Sequence, residues 1–218
     1  MSFQHSAAVA LIAVTFVAVP VAAEEWQARF AANWTDTALN MRVVDEDGVA
    51  LRFEGGNALG ISLGVERLLD ETLGLEFAID FARPENRISV TPPGAEEVSA
   101  TARMDLWIVR AGLNLHLLPG HPVDLYLGPA VAWLVAPGSS TFRAEVGGHT
   151  SAVTIEADGS FGWGGTAGAD VDLGDGWTLG ISYTYLKAEM DFTDGTEGGE
   201  RTLDLDPSTL RLDVGVRF

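Results

Sequence analysis

The chain has 218 residues, 47 % of them hydrophobic, with 25 glycines, no cysteine and a formal net charge of −18. That length suits one domain or a single barrel, and the missing cysteine removes disulfides and thiolate metal sites. The acidic balance argues against DNA or RNA as a partner, since both require basic surface to displace counterions.

The first segment is an address. Ala7 to Val19 is a short apolar run broken by Pro20, and Val21-Ala22-Ala23 puts small residues where a signal peptidase reads. Residues 1–23 are expected to be a secretory signal peptide and 24–218 the mature domain, although no Lys or Arg precedes the apolar run. Beyond that segment no apolar run approaches the ~20 residues of a spanning helix, so a place in a membrane would require a barrel.

From Trp26 onward the chain alternates with period two. Trp26, Ala28, Phe30, Ala32 and Trp34 share one face, against Gln27, Arg29, Ala31 and Asn33. Leu59, Ile61, Leu63 and Val65 oppose Gly60, Ser62, Gly64 and Glu66, and Leu73 to Phe81 oppose Gly74, Glu76, Ala78 and Asp80. Trp107 to Leu117 oppose Arg110, Gly112, Asn114 and His116; Val123 to Trp133 oppose Asp124, Tyr126, Gly128 and Ala130. Phe161 to Val171 oppose a glycine-rich face ending on Asp170 and Asp172, and Trp177 to Tyr185 oppose Thr178, Gly180, Ser182 and Thr184. The last run sets Leu210, Leu212, Val214, Val216 and Phe218 against Arg211, Asp213, Gly215 and Arg217. These make about eight strands, each near the ~9–11 residues of a tilted transmembrane strand. Long connections at 36–57, 82–101, 137–159 and 193–203 alternate with short turns at Asp70-Glu71, Pro119 to Pro122 and Gly174-Asp175-Gly176.

The expected fold is all-β: an eight-stranded antiparallel transmembrane barrel with long outer loops and short periplasmic turns. The aromatic residues Trp26, Trp34, Phe81, Trp133, Trp177 and Tyr185 fall near strand ends on the apolar face, as interfacial girdles require. Pro129 and Pro207 should each sit at a bulge or where strand pairing is lost, and Pro207 is read as a local opening of the wall. Acidic residues crowd the loops at Asp45 to Asp47, at Glu96-Glu97, and at Asp194, Glu197 and Glu200. They suit a solvated surface or cation bridging to lipopolysaccharide.

The polar face is assigned inward, with Arg29, Glu66, Glu76, Asp80, Arg103, Asp105, Arg110, Asp170, Asp172, Arg211, Asp213 and Arg217. Among these Arg29, Glu66, Glu76, Arg110, Asp170, Arg211, Asp213 and Arg217 are expected to form a lumen charge network. It is either a polar pore or, favoured because eight strands leave room only for side chains, a salt-bridged plug. Toward the long-loop end the inward positions become apolar: Met104, Leu106, Ile108, Leu134 and Leu186, with Leu203 and Leu205 if parity survives Pro207. They fit a small substrate-binding pocket above a charged floor, or loop packing that closes the barrel top.

Several stretches resemble the OmpW family of small outer-membrane proteins: Asn57 to Ile61 running to Leu75-Glu76-Phe77-Ala78, Asp124 to Ala130, Trp163 to Asp170, and Leu205-Asp206-Pro207 before the closing Gly215 to Phe218. Pro129 departs from the family's usual small residue. The resemblance implies an eight-stranded barrel with a narrow hydrophobic channel that passes small apolar molecules. The terminal Phe218 looks like the signal read by outer-membrane assembly machinery. Outer-membrane lipid, lipopolysaccharide and small hydrophobic solutes are the other expected partners. The alternative is a structural or surface-interaction barrel with a plugged lumen, acting through its acidic loops.

Chemistry is expected to be absent. Gly162-Trp163-Gly164-Gly165-Thr166-Ala167 has the glycines of a dinucleotide fingerprint, but strand alternation runs through it and no helix follows. His116, His121 and His149 are too scattered for a metal site, and no nucleophile–base pair is evident. Neither a catalytic residue nor a cofactor is assigned.

Overall fold

The structure, a computed structural model, describes residues 26–38, 40–44, 50–91, 93–94, 98–136, 139–146, 149–157, 159–194 and 200–218. The expected leader and the acidic residues Asp45 to Asp47, Glu96, Glu97 and Glu197 lie outside them.

Numbered in chain order, the barrel consists of β1 (Trp26–Thr37), β4 (Asn57–Leu68), β5 (Leu73–Ala82), β8 (Leu106–His116), β9 (Val123–Val135), β12 (Ser160–Gly174), β13 (Trp177–Asp194) and β15 (Pro207–Arg217). Each pairs antiparallel with the next around the ring. β15 returns to β1 from Gln27↔Arg217 to Thr37↔Pro207 and closes the eight-stranded barrel. Phe218 extends that seam, because its N–H donates to the Trp26 carbonyl at 2.9 Å and the Trp26 N–H donates back at 3.0 Å.

The long connections differ from the loops expected of them. β2 (Asn40–Val44), β3 (Ala50–Glu54), β6 (Glu85–Thr91) and β7 (Val98–Arg103) form a separate four-stranded sheet. β10 (Ser139–Val146) and β11 (His149–Ala157) make a hairpin on the far end of β13, which β14 (Glu200–Asp204) also pairs. Thr141 to Val146 does alternate, but such short runs beside acidic and glycine-rich stretches give weak strand signals.

Burial is inverted relative to a water-soluble barrel. Leu59 is 74 % exposed and Trp163 61 %, whereas Arg110 is 2 % exposed. The period-two pattern thus turns apolar side chains outward and ionic ones inward, as hydrocarbon surroundings demand. Trp34, Phe81, Trp107, Trp133 and Tyr185 ring the long-loop end, and Trp26 and Trp177 mark the short-turn end.

Turn chemistry fixes the register. Asp175 and Gly176 have φ of 53° and 79° between Gly174 and its partner Trp177, the positive-φ pair that a tight Asp-Gly hairpin requires. Pro129 keeps its pairing with Gly165 of β12, but the β8–β9 ladder is interrupted between Gly112↔Ala130 and Leu115↔Leu127. Gly128 is needed at that gap, because a Cβ there would overlap the Leu113 carbonyl oxygen. On the outer face a depression of about 380 Å³ opens over Gly128, Pro129, Gly165 and Ala167, between Leu127 and Tyr185.

Candidate functional site

Inward-facing polar residues from all eight barrel strands build a connected layer in the short-turn half of the lumen. Arg29 of β1 is its hub. Its guanidinium donates to Glu66 of β4 at 2.6 Å and to both oxygens of Asp170 across the lumen at 2.9 and 2.8 Å. Asp213 of β15 lies 3.7 Å away, and the Tyr126 ring sits 5.2 Å beneath the guanidinium. A second hub is Glu76 of β5, which takes a two-pronged interaction from Arg110 at 2.9 and 3.2 Å and a third bond from Arg211 at 3.2 Å. Asp80 completes it, 3.7 Å from Arg110.

Below these hubs, His116 is held between Asp124 at 2.6 Å and Glu66 at 3.2 Å, and Asn114 donates to Glu66 at 2.7 Å. Gln27 donates to Thr178 at 2.7 Å. Above them, the Thr166 and Thr184 hydroxyls meet at 2.9 Å. The layer holds the guanidiniums of Arg29, Arg110 and Arg211 among the carboxylates of Glu66, Glu76, Asp80, Asp170 and Asp213, all buried. Charges this deep must be paired and hydrogen-bonded to be tolerated, and here the pairing crosses the ring from strand to strand.

Seven of the eight network residues read from the sequence meet in this layer: Arg29, Glu66, Glu76, Arg110, Asp170, Arg211 and Asp213. Arg217 does not. It sits at the short-turn rim, 28 % exposed, with its head 4.0 Å from an exposed Asp172, because the end of β15 lies below the layer. Arg103 and Asp105 also differ from the inward assignment. They share the parity of Trp107 and are 73 % and 40 % exposed on the outer face. Sequence reasoning had no means of picking Asp124, Tyr126 and Gln27 as partners. Their inward parity was visible, but their heights were not.

Above the polar layer the lumen turns apolar. Leu106, Ile108, Leu134, Leu186 and Leu205 are at most 2 % exposed and pack as one cluster with Ala130, Ala132, Ala136 and Ala188, while Met104 lies against its edge. Six of the seven apolar positions read from the sequence are therefore together; the side chain of Leu203 lies outside the described residues. The alanines of this cluster are not legible in the sequence, because a small residue carries little pattern on its own.

This cluster abuts a fault in the wall. The β13–β15 ladder ends at Tyr185↔Ser208, and pairing resumes only at Glu189↔Asp204 with β14. Pro207 stands in the gap. The Ala188 N–H donates to the Asp206 side chain at 3.2 Å, the Leu205 N–H donates to the Ala188 carbonyl at 2.9 Å, and the Tyr185 hydroxyl donates to Asp206 at 3.2 Å. Leu186, Ala188 and Leu205 thus belong both to the apolar cluster and to the stretch where the wall is stitched by a side chain.

Residues 9–218 match the family described as outer membrane protein beta-barrel domain. No curated relative matches the chain. Among solved structures the chain is similar to the outer membrane protein OprG from Pseudomonas aeruginosa, with a TM-score of 0.61 at 14 % identity over 90 % of this chain and 96 % of that one. It is also similar to outer membrane protein AlkL, with 0.59 at 12 % identity over 89 % and 90 %. Neisserial surface protein A gives 0.53 at 14 % identity over 89 % and 97 %. At these identities the likeness is one of fold.

Proposed function

This chain belongs to the outer membrane protein beta-barrel domain family, and from that premise we propose that it binds small hydrophobic molecules at its outer mouth and releases them sideways into the membrane. Kinship with the OmpW family is part of the same proposal. The observation that carries it is the position of the Leu106, Ile108, Leu134, Leu186 and Leu205 cluster inside the lumen, directly above the ionic layer and beside the gap at Pro207.

The physical case is one of elimination along the lumen. An apolar solute entering from the loop end meets side chains that solvate it well. Further descent would force it through Arg29, Glu76 and Arg110, whose partners it cannot replace. The low-cost exit is lateral, where Pro207 supplies no N–H and Asp206 substitutes for a ladder carbonyl. Recognition of the closing strand β15, which Phe218 extends by pairing with Trp26, by outer-membrane assembly machinery belongs to the same proposal.

The test is pyrene uptake by lipid vesicles carrying the folded protein, with Leu106→Asp plus Ile108→Asp against the unaltered chain. Folding is followed by the mobility of unheated protein on denaturing gels. Loss of barrel-dependent uptake in a folded variant is the expected result. Undiminished uptake would transfer the function to the outer loops and leave the apolar cluster as packing.

A further inference from the structure

We infer that the outward rim of β5, β6, β7 and β8 is a binding site for the phosphate groups of lipopolysaccharide, built from Arg83 and Arg103. Four cross-strand levels climb this face. The lowest is Phe81↔Trp107, whose rings are 4.7 Å apart. Arg83 and Asp105 form the next, joined by Nε at 2.6 Å and Nη2 at 3.3 Å. Glu85↔Arg103 follows, with the charged heads 3.8 Å apart, and Arg87↔Thr101 lies above. The Arg83 guanidinium lies 5.6 Å over the Phe81 ring.

Aromatic side chains mark the edge of the hydrocarbon, so cations one and two levels above Phe81 and Trp107 stand where lipid phosphates lie. The long-loop end is the outer end of such a barrel, which makes the facing leaflet the one that holds lipopolysaccharide.

The chain has only 13 Lys and Arg against 31 Asp and Glu, and three of the arginines are spent inside the lumen. Across the barrel, the described side chains on the rim beside β1, β13 and β15 include Asp36, Glu189, Asp204 and Asp206 against Lys187, an acidic set that repels anionic lipid. The β5–β8 rim reverses that sign with Arg83, Arg87 and Arg103 against Glu85 and Asp105.

Arg83 is 61 % exposed and Arg103 73 %. An exposed Arg–carboxylate pair is only weakly held, so either head can exchange its carboxylate for a phosphate, which accepts from guanidinium in the same forked geometry. The two arginines occupy diagonal positions roughly 7–8 Å apart at Cα, a separation that one phosphate bridges.

Binding of bisphosphorylated lipid A to the purified full-length barrel, measured by native mass spectrometry in the presence of a chelator, tests the site. Arg83→Gln and Arg103→Gln should each weaken it about fivefold, the effect of removing one cation beside an anionic lipid surface. Asp105→Asn removes the competing carboxylate and should tighten it. Dephosphorylated lipid A should bind weakly and equally to all variants. Unchanged affinity in both arginine variants would overturn the site, as would an equal loss in Asp105→Asn, which marks a purely structural ion pair. Phosphatidylglycerol binding as tightly as lipid A would overturn the assignment to lipopolysaccharide.

Discussion

Glu76 shows how much of this barrel's interior depends on a single carboxylate. It lies on β5, yet its two oxygens accept from Arg110 on β8 and from Arg211 on β15, so it ties separated parts of the ring through the lumen. Glu76→Gln keeps the shape but removes the carboxylate that pairs Arg211 and leaves Arg110 with Asp80 alone, 3.7 Å away. Breaking a buried pair in this way costs about 3–5 kcal/mol, to be read from urea unfolding of the protein folded into lipid vesicles. A loss below about 1 kcal/mol, the range of an exposed pair, would mean that water reaches the layer. Parity in the sequence identified Glu76 as inward, and the need for pairing followed from the width of the barrel. The partner could not be read. Arg211 lies 135 residues away, and only the closed ring brings it within reach. The same limit explains Arg217, whose face was legible but whose height below the layer was not.

At the scale of elements, the barrel strands were legible because each has one face in an apolar medium and the other in a polar lumen. A one-residue slip would invert both faces. The strands beyond the rim lack that contrast, and four of them pair into a sheet of their own. The inward assignment of Arg103 and Asp105 fails at this boundary, where the parity of Trp107 still governs but the flanking connection obscures it. Turns were more direct. In the connection from β4 to β5, the Leu69 N–H donates to the Leu73 carbonyl at 2.7 Å. Asp70 Oδ1 accepts from the Thr72 N–H at 2.7 Å, the Thr72 hydroxyl at 2.9 Å and the Leu73 N–H at 2.8 Å. The Thr72 N–H first, then the hydroxyl and the Leu73 N–H, hold the Asp70 carboxyl below its ordinary range. A lowered carboxylate pKa contributes stability that is present above the unfolded value, about 3.9 for Asp, and lost as pH falls through the folded value. Asp70→Ala should therefore be less stable than the unaltered chain at neutral pH, and the difference should vanish in acid. Urea midpoints across that pH range measure it. An offset that persists unchanged into acid would show that the backbone alone holds the turn.

For the molecule as a whole, the narrowness of an eight-stranded ring decides what can cross it. Such a ring is filled by side chains unless some are removed, and this one is filled at two levels. Arg110, Glu66 and Glu76 are at most 2 % exposed in the ionic layer, and Leu106 and Leu134 are fully buried above it. Under the proposed function an apolar solute stops at the upper level, where it must displace packed side chains, and the paired charges below keep it from continuing straight down. In that proposal lateral release at Pro207 has a physical motive because buried, paired side chains fill the floor. In planar bilayers the unaltered protein should accordingly pass no steady current. Glu76→Ala combined with Arg110→Ala removes two large side chains and both members of one pair, and should admit a measurable ion current. Steady conductance by the unaltered barrel would mean that the ionic layer opens in the membrane. A straight route would then exist, and the gap between β13 and β15 would no longer be needed as an exit.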